Sequence, residues 1–132
     1  MDCDYFKIRN SIRNIDDRNK FTHITPLLKS LHWLPMCERV KFKILLLVYN
    51  SIHGSAPQYN TALINTYTPP RLLRSSDSGI LSVPRYKTKW GVRAFVHAGP
   101  SLWNSLPREI RDSQSVSTFK IKLKTYLYNS CY

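Results

Sequence analysis

Apolar residues recur at three- and four-residue spacing at both ends of this chain, and the middle breaks that rhythm. Tyr5, Ile8, Ile12 and Ile15 form one face of an N-terminal helix, with Lys7, Arg9 and Arg13 elsewhere on the cylinder. Asp16, Asp17 and Asn19 weaken the pattern and end it. Thr25-Pro26 reads as an N-cap followed by proline at the first helical position, opening a short helix to about Leu31. Pro35 opens the strongest predicted helix. Cys37 to His53 holds neither Gly nor Pro, and Gly54 stands where a left-handed C-cap is wanted. Phe42, Leu45, Leu46, Tyr49 and Ile52 share one face. Ile44, Leu47 and Val48 carry apolar surface nearly all round, which predicts a central, buried helix. Its first turns are polar, with Glu38, Arg39, Lys41 and Lys43 reaching solvent.

At the other end, Ser115 or Ser117 caps a helix running to about Tyr128. Phe119, Leu123, Tyr126 and Leu127 form its apolar face, while Lys120, Lys122 and Lys124 give it positive charge and no negative charge. The middle is more broken. Ala56-Pro57 starts a short helical stretch, roughly Pro57 to Ile64, and Thr68-Pro69-Pro70 stops regular structure. Arg71 to Asp77 reads as an irregular loop. Gly79 to Pro84 is a strand candidate closed by its proline. Lys89 to Val96 is a second, because Trp90, Val92 and Phe95 favour extended backbone. The two predict a small hairpin. Pro100 to Asn104 and Pro107 to Arg111 are helical-turn candidates. The expected fold is therefore mainly α with a small β-hairpin (α+β), in a single compact domain.

Charge sharpens this picture. Twenty Lys and Arg face eight Asp and Glu, a formal net charge of +12. Such an excess attracts polyanions, of which phosphate backbones are the commonest, although a basic surface can also serve solubility alone. The densest cluster is Arg71, Arg74, Arg85, Lys87, Lys89 and Arg93, with a single acid, Asp77, and with Tyr86 and Trp90 among them. Cations release counterions from phosphates and rings stack on unpaired bases. Strand alternation would put Arg85, Lys87 and Lys89 on one face and the aromatics on the other. That favours contact with a phosphate backbone over a stacking platform, or else a solvated strand face above a Tyr/Trp core. Lys120 and Lys124 extend the positive surface. By contrast, Ile44 to Pro70 contains no Lys, Arg, Asp or Glu. A stretch of that length is core or a docking surface for another domain.

Chemistry is not advertised. The acids Asp2, Asp4, Asp16, Asp17, Glu38, Asp77, Glu109 and Asp112 lie mostly in predicted loops or at helix starts, where they cap or face the dipole. His23, His32, His53 and His97 do not pair with Cys or His at zinc-finger spacing, and His32 beside Trp33 reads as a half-buried packing residue. Cys3, Cys37 and Cys131 are far apart, which suits a reduced, intracellular chain, cytoplasmic or nuclear. The glycines are isolated, so no phosphate loop forms. No catalytic residue, metal site or cofactor is expected. The N-terminus lacks the apolar run of a signal peptide, and Ile44 to Val48 is too short to span a bilayer, so no membrane partner is expected.

One resemblance runs through these segments. Thr22 to Pro35 (THITPLLKSLHWLP) resembles a stretch downstream of the polymerase core in LINE-type, non-LTR retrotransposon reverse transcriptases of the Jockey-like superfamily. Arg39 to Leu47 is similar to the family's long helix, and Ile52 to Tyr59 to its end and the next start. Leu73 to Asp77 and Val83 to Arg85 resemble its central loop and strand. Arg93 to Phe95, Gly99 to Pro107 and Phe119 to Lys124 follow in the same order. The resemblance covers residues 22–132, leaving a poorly matched N-terminal helix in 1–21.

A reverse transcriptase of this kind holds two metals with an aspartate pair in a Phe/Tyr-Ala-Asp-Asp turn plus a third aspartate. That turn is absent here, since Asp16-Asp17 follows Ile15 in helix-like sequence. The resemblance thus implies a noncatalytic C-terminal accessory domain of a transposable element's polymerase. Its implied partners are element RNA or target DNA, bound through the phosphate backbone, beside a reverse transcriptase body. Two alternatives stand next to it. One is a protein-interaction module docking on that body through the uncharged segment. The other is a decayed open reading frame without selected function.

Overall fold

A computed structural model of the chain describes residues 25–69 and 79–132. The predicted N-terminal helix, Asp77, Arg71 and Arg74 lie outside the described residues. The described chain is mostly helical. Its helices are α1 (Thr25–Ser30), α2 (Met36–Ile52), α3 (Gln58–Thr61), α4 (Lys89–Arg93), α5 (Phe95–Asn104), α6 (Arg108–Arg111) and α7 (Val116–Cys131). Each long helix begins and ends for a local reason. Pro35 precedes α2, and Gly54 follows it at φ 69° while the Ser55 amide donates back to the Asn50 carbonyl at 2.9 Å. That is the left-handed closure that glycine permits. Ser115 caps α7, its Oγ accepting from the Thr118 amide at 3.2 Å.

Helix α2 is the centre of the packing, with α5 against it most extensively and α7 next. Tyr49, Trp103 and Phe119, one from each of these helices, meet in the core. The Tyr49 and Phe119 rings stack with centroids 4.3 Å apart, and Trp103 lies 5.9 Å from Phe119. Leu45, Val48, Leu123 and Leu127 complete the buried layer. Gly99 of α5 lets that helix close on α2, because a Cβ there would stand 2.9 Å from Val48 Cγ2. The buried Tyr49 hydroxyl is satisfied, donating to the Ser113 carbonyl at 2.7 Å.

Helix α1 joins this body through the end of α7. Tyr128 and Tyr132 donate their hydroxyls to the carbonyls of Lys29 and Trp33, both at 3.1 Å. His32 terminates α1 in the left-handed region at φ 52°, with the Trp33 amide returning to the Leu28 carbonyl at 2.9 Å. It is an exposed cap residue stacked on Tyr128, not the half-buried packing residue expected from sequence. A glycine is the usual occupant of such a position.

Three further expectations are corrected. Helix α2 is central but not buried all round. Met36, Val40 and Leu47 lie on the side away from Leu45, Val48 and Tyr49 and are exposed. Tyr126 is also exposed, leaving Phe119, Leu123 and Leu127 as the buried residues of α7.

The predicted hairpin is absent among the described residues. Lys89 to Arg93 is helical as α4, and after the extended residue Ala94 the chain enters α5, which itself extends through the turn expected at Pro100 to Asn104. The would-be first strand shrinks to an isolated antiparallel bridge of Leu81 with Thr66. The reason lies in the hydrogen-bond partners around Leu81. The Tyr67 amide donates to Ile80, and the Ser82 amide to Asn65. Leu81's own N–H and C=O are both taken by the Asn104 side-chain amide, at 2.9 and 2.8 Å. No backbone edge remains there for a second strand.

Candidate nucleic-acid interface

The basic segment leaves Leu81 and runs across the surface into α4. Thr88 begins the helix, its hydroxyl oxygen accepting from the Gly91 amide at 3.1 Å. Gly91 is required by the fold-back of the chain before it, since a Cβ there would lie 2.7 Å from Tyr86 Cβ. Tyr86 therefore sits against the glycine, with its ring 6.1 Å from that of His97 on α5.

This local geometry replaces the strand alternation and changes which groups face solvent. Arg85, Lys87, Lys89 and Arg93 are exposed. Trp90 is exposed too, with 78% of its surface open, and Tyr86 is 43% open. Residues 90 and 93 are one helical turn apart, so Arg93 reaches back over the indole, its guanidinium carbon 5.5 Å from the ring centroid. Arg93 and Trp90 thus share one surface instead of lying on opposite faces. No acid occurs between Gly79 and Pro107. None of the four cations forms an ion pair with a described carboxylate, whereas Lys41 pairs with Glu38 and Arg108 with Asp112. Unneutralised charge beside an open indole has the composition of a surface that binds phosphates and bases.

The other predicted residues fall elsewhere. Lys120 and Lys124 are exposed on α7. Lys124 lines a cleft of about 380 Å³ with His32, Trp33, Leu34, Arg39 and Phe42, none of them from the Arg85 to Arg93 group. In that cleft the Arg39 guanidinium lies over Trp33 at 5.3 Å and donates through Nε to the Leu34 carbonyl at 2.8 Å. Lys122 is used structurally, its Nζ donating to the Glu109 carbonyl at 3.0 Å. The sequence reading missed Trp90 and Tyr86 as surface groups. The available signal was the Thr88 cap with Trp90 and Arg93 at helical spacing.

The hydrogen bond to Glu38 raises Lys41 above the ordinary lysine value, and burial pushes the Cys131 thiol up, away from the reactive thiolate. Among the described residues, no three His, Cys, Asp or Glu side chains converge on a common point, and no helix is long and apolar enough to cross a membrane. No family model, curated protein or solved structure matches the chain.

Proposed function

We propose that this chain is a noncatalytic nucleic-acid-binding domain, serving as an accessory to a retroelement reverse transcriptase. The observation that carries the reading is the group Arg85, Lys87, Lys89 and Arg93, all exposed and without an ion-pair partner among the described residues, in a stretch of sequence from Gly79 to Pro107 that holds no Asp or Glu. The net charge of +12 supplies the long-range attraction. The ordered resemblance over residues 22–132 to the C-terminal region of LINE-type reverse transcriptases supports the accessory role. Polymerase coding sequence directly upstream of this chain would agree with it, and an unrelated upstream sequence would count against it.

The test is affinity for structured RNA and for duplex DNA at several salt concentrations. Log affinity is expected to fall linearly with log salt, with a slope near −0.7 to −0.9 per neutralised phosphate, to order of magnitude. The double variant Lys87→Ala/Lys89→Ala is expected to reduce that slope by about 0.7–0.9 for each lysine lost. A flat salt plot, or no binding at low salt, overturns the proposal.

A second reading is favoured by the exposed apolar residues of the charge-free segment. Leu47, Ile52, Leu63 and Tyr67 are open, and Met36 and Val40 extend the surface along α2. Docking on a polymerase body through that surface predicts that Val40→Glu/Leu47→Glu abolishes co-purification with the parent reverse transcriptase and spares nucleic-acid affinity. Retained co-purification would dismiss it.

A further inference from the structure

We infer that Trp90 is a stacking platform for an unpaired base, which makes single-stranded nucleic acid the preferred ligand of the basic surface. This rests on the nucleic-acid reading above and names its substrate class. A large aromatic side chain is normally placed where it removes apolar area from water. Trp90 does the opposite. It is the most exposed of the large apolar side chains described, at 78%, while Trp103 of the same chain is buried at 3%. Burial in the core therefore does not explain its position.

Its surroundings point to a ligand of defined chemistry. One guanidinium, that of Arg93, lies over the indole at 5.5 Å, and a ring so exposed retains a second face open to solvent. A base seated on that face would lie between solvent and an indole already polarised by a cation, an arrangement that suits any base because every base has a π-face. Lys87 and Lys89 stand next to the ring in sequence and are exposed, so a backbone passing the ring meets two ammonium groups. Duplex nucleic acid keeps its bases stacked on each other and offers the indole no free face. A duplex would therefore use the lysines alone. Tyr86, held against Gly91 and still 43% exposed, marks where a second base would meet the surface.

Thr88 caps the helix that carries Trp90, and α4 packs on α5, which itself rests on α2. The indole is thus presented from a helix tied to the core.

The experiment uses the full chain with labelled twelve-nucleotide probes: a pyrimidine-only RNA, its DNA counterpart, and a duplex DNA of the same length. Anisotropy titrations compare the unaltered chain with Trp90→Ala, Trp90→Phe and Lys87→Ala/Lys89→Ala. Trp90→Ala is expected to weaken both single strands about 5- to 150-fold, the range of one aromatic–base stack, and to change duplex affinity less than about 2-fold. Trp90→Phe is expected to recover part of the loss. Lys87→Ala/Lys89→Ala is expected to weaken all three probes. Unchanged helicity by circular dichroism shows that Trp90→Ala leaves the fold intact, as its exposure implies. Equal losses on single strands and duplex, or no loss on either, overturn the stacking inference while leaving the charge-based reading standing. Absence of binding to every probe at low salt, for the unaltered chain, overturns both.

Discussion

Phe119→Ala is expected to cost about 3–5 kcal/mol of stability, the range for removing a buried aromatic ring. Phe119 is fully buried, stacks on Tyr49 at 4.3 Å and meets Trp103 at 5.9 Å, so three helices would face the void at once. These neighbours have little freedom to collapse into it. Tyr49 is anchored by its hydroxyl on Ser113, and Trp103 by its indole N–H on the Gly79 carbonyl at 3.1 Å. A domain of this size has about 5–15 kcal/mol in total, so the variant should stand close to its unfolding threshold. Urea denaturation followed by circular dichroism measures the loss. Phe119→Leu should retain most of the stability, because it leaves less empty volume. A loss below about 1 kcal/mol for the alanine variant would show that the ring is not the keystone of this packing.

The second large effect is expected at Asn104. Its side chain closes both backbone groups of Leu81, accepting from the amide at 2.9 Å and donating to the carbonyl at 2.8 Å. Asn104→Ala strands two partly buried backbone groups, at about 1–3 kcal/mol for each, discounted for their partial exposure to about 2–4 kcal/mol together. The consequence is more local than that of Phe119→Ala. Amide exchange at Ser82 and Tyr67, whose bonds form the bridge with this segment, should accelerate well beyond the global effect. Because the same segment leads into Arg85, nucleic-acid affinity should fall as well. Asn104→Asp separates the two bonds, since it keeps the acceptor for the Leu81 amide and faces the carbonyl with another oxygen. Uniform exchange across the chain would contradict the role of Asn104 as a clamp.

The candidate site was half legible in the sequence. Arg85, Lys87, Lys89 and Arg93 stand out because charge is counted without knowing the fold, and charged side chains are rarely buried unpaired. All four are on the surface. Trp90 and Tyr86 were assigned to the wrong environment for a physical reason. Trp90 and Arg93 lie on opposite faces at a period of two and on one face at a period near 3.6, whereas Tyr86 lies before α4, folded against Gly91. Trp90, Val92 and Phe95 have strand propensity, but Thr88 offers a cap and no neighbouring strand offers a ladder. Charge alone groups Lys124 with the cluster, whereas the fold places it in a cleft with Arg39 and Trp33.

What the sequence determined by itself is the set of elements whose bonds are local. Pro35 and Gly54 bound α2, Pro107 precedes α6, and Ser115 caps α7, because helix hydrogen bonds and caps join residues three to five apart. The apolar rhythm likewise places Leu45 and Tyr49 on one face of α2 and Phe119 and Leu123 on one face of α7. The tertiary structure decided everything that depends on a distant partner. It chose Asn104 over a second strand for Leu81, put a histidine in the left-handed turn after α1, and left one face of α2 open. It also turned Trp90 outward beside Arg93, since burial is a property of what packs against a residue and no spacing along the chain records it.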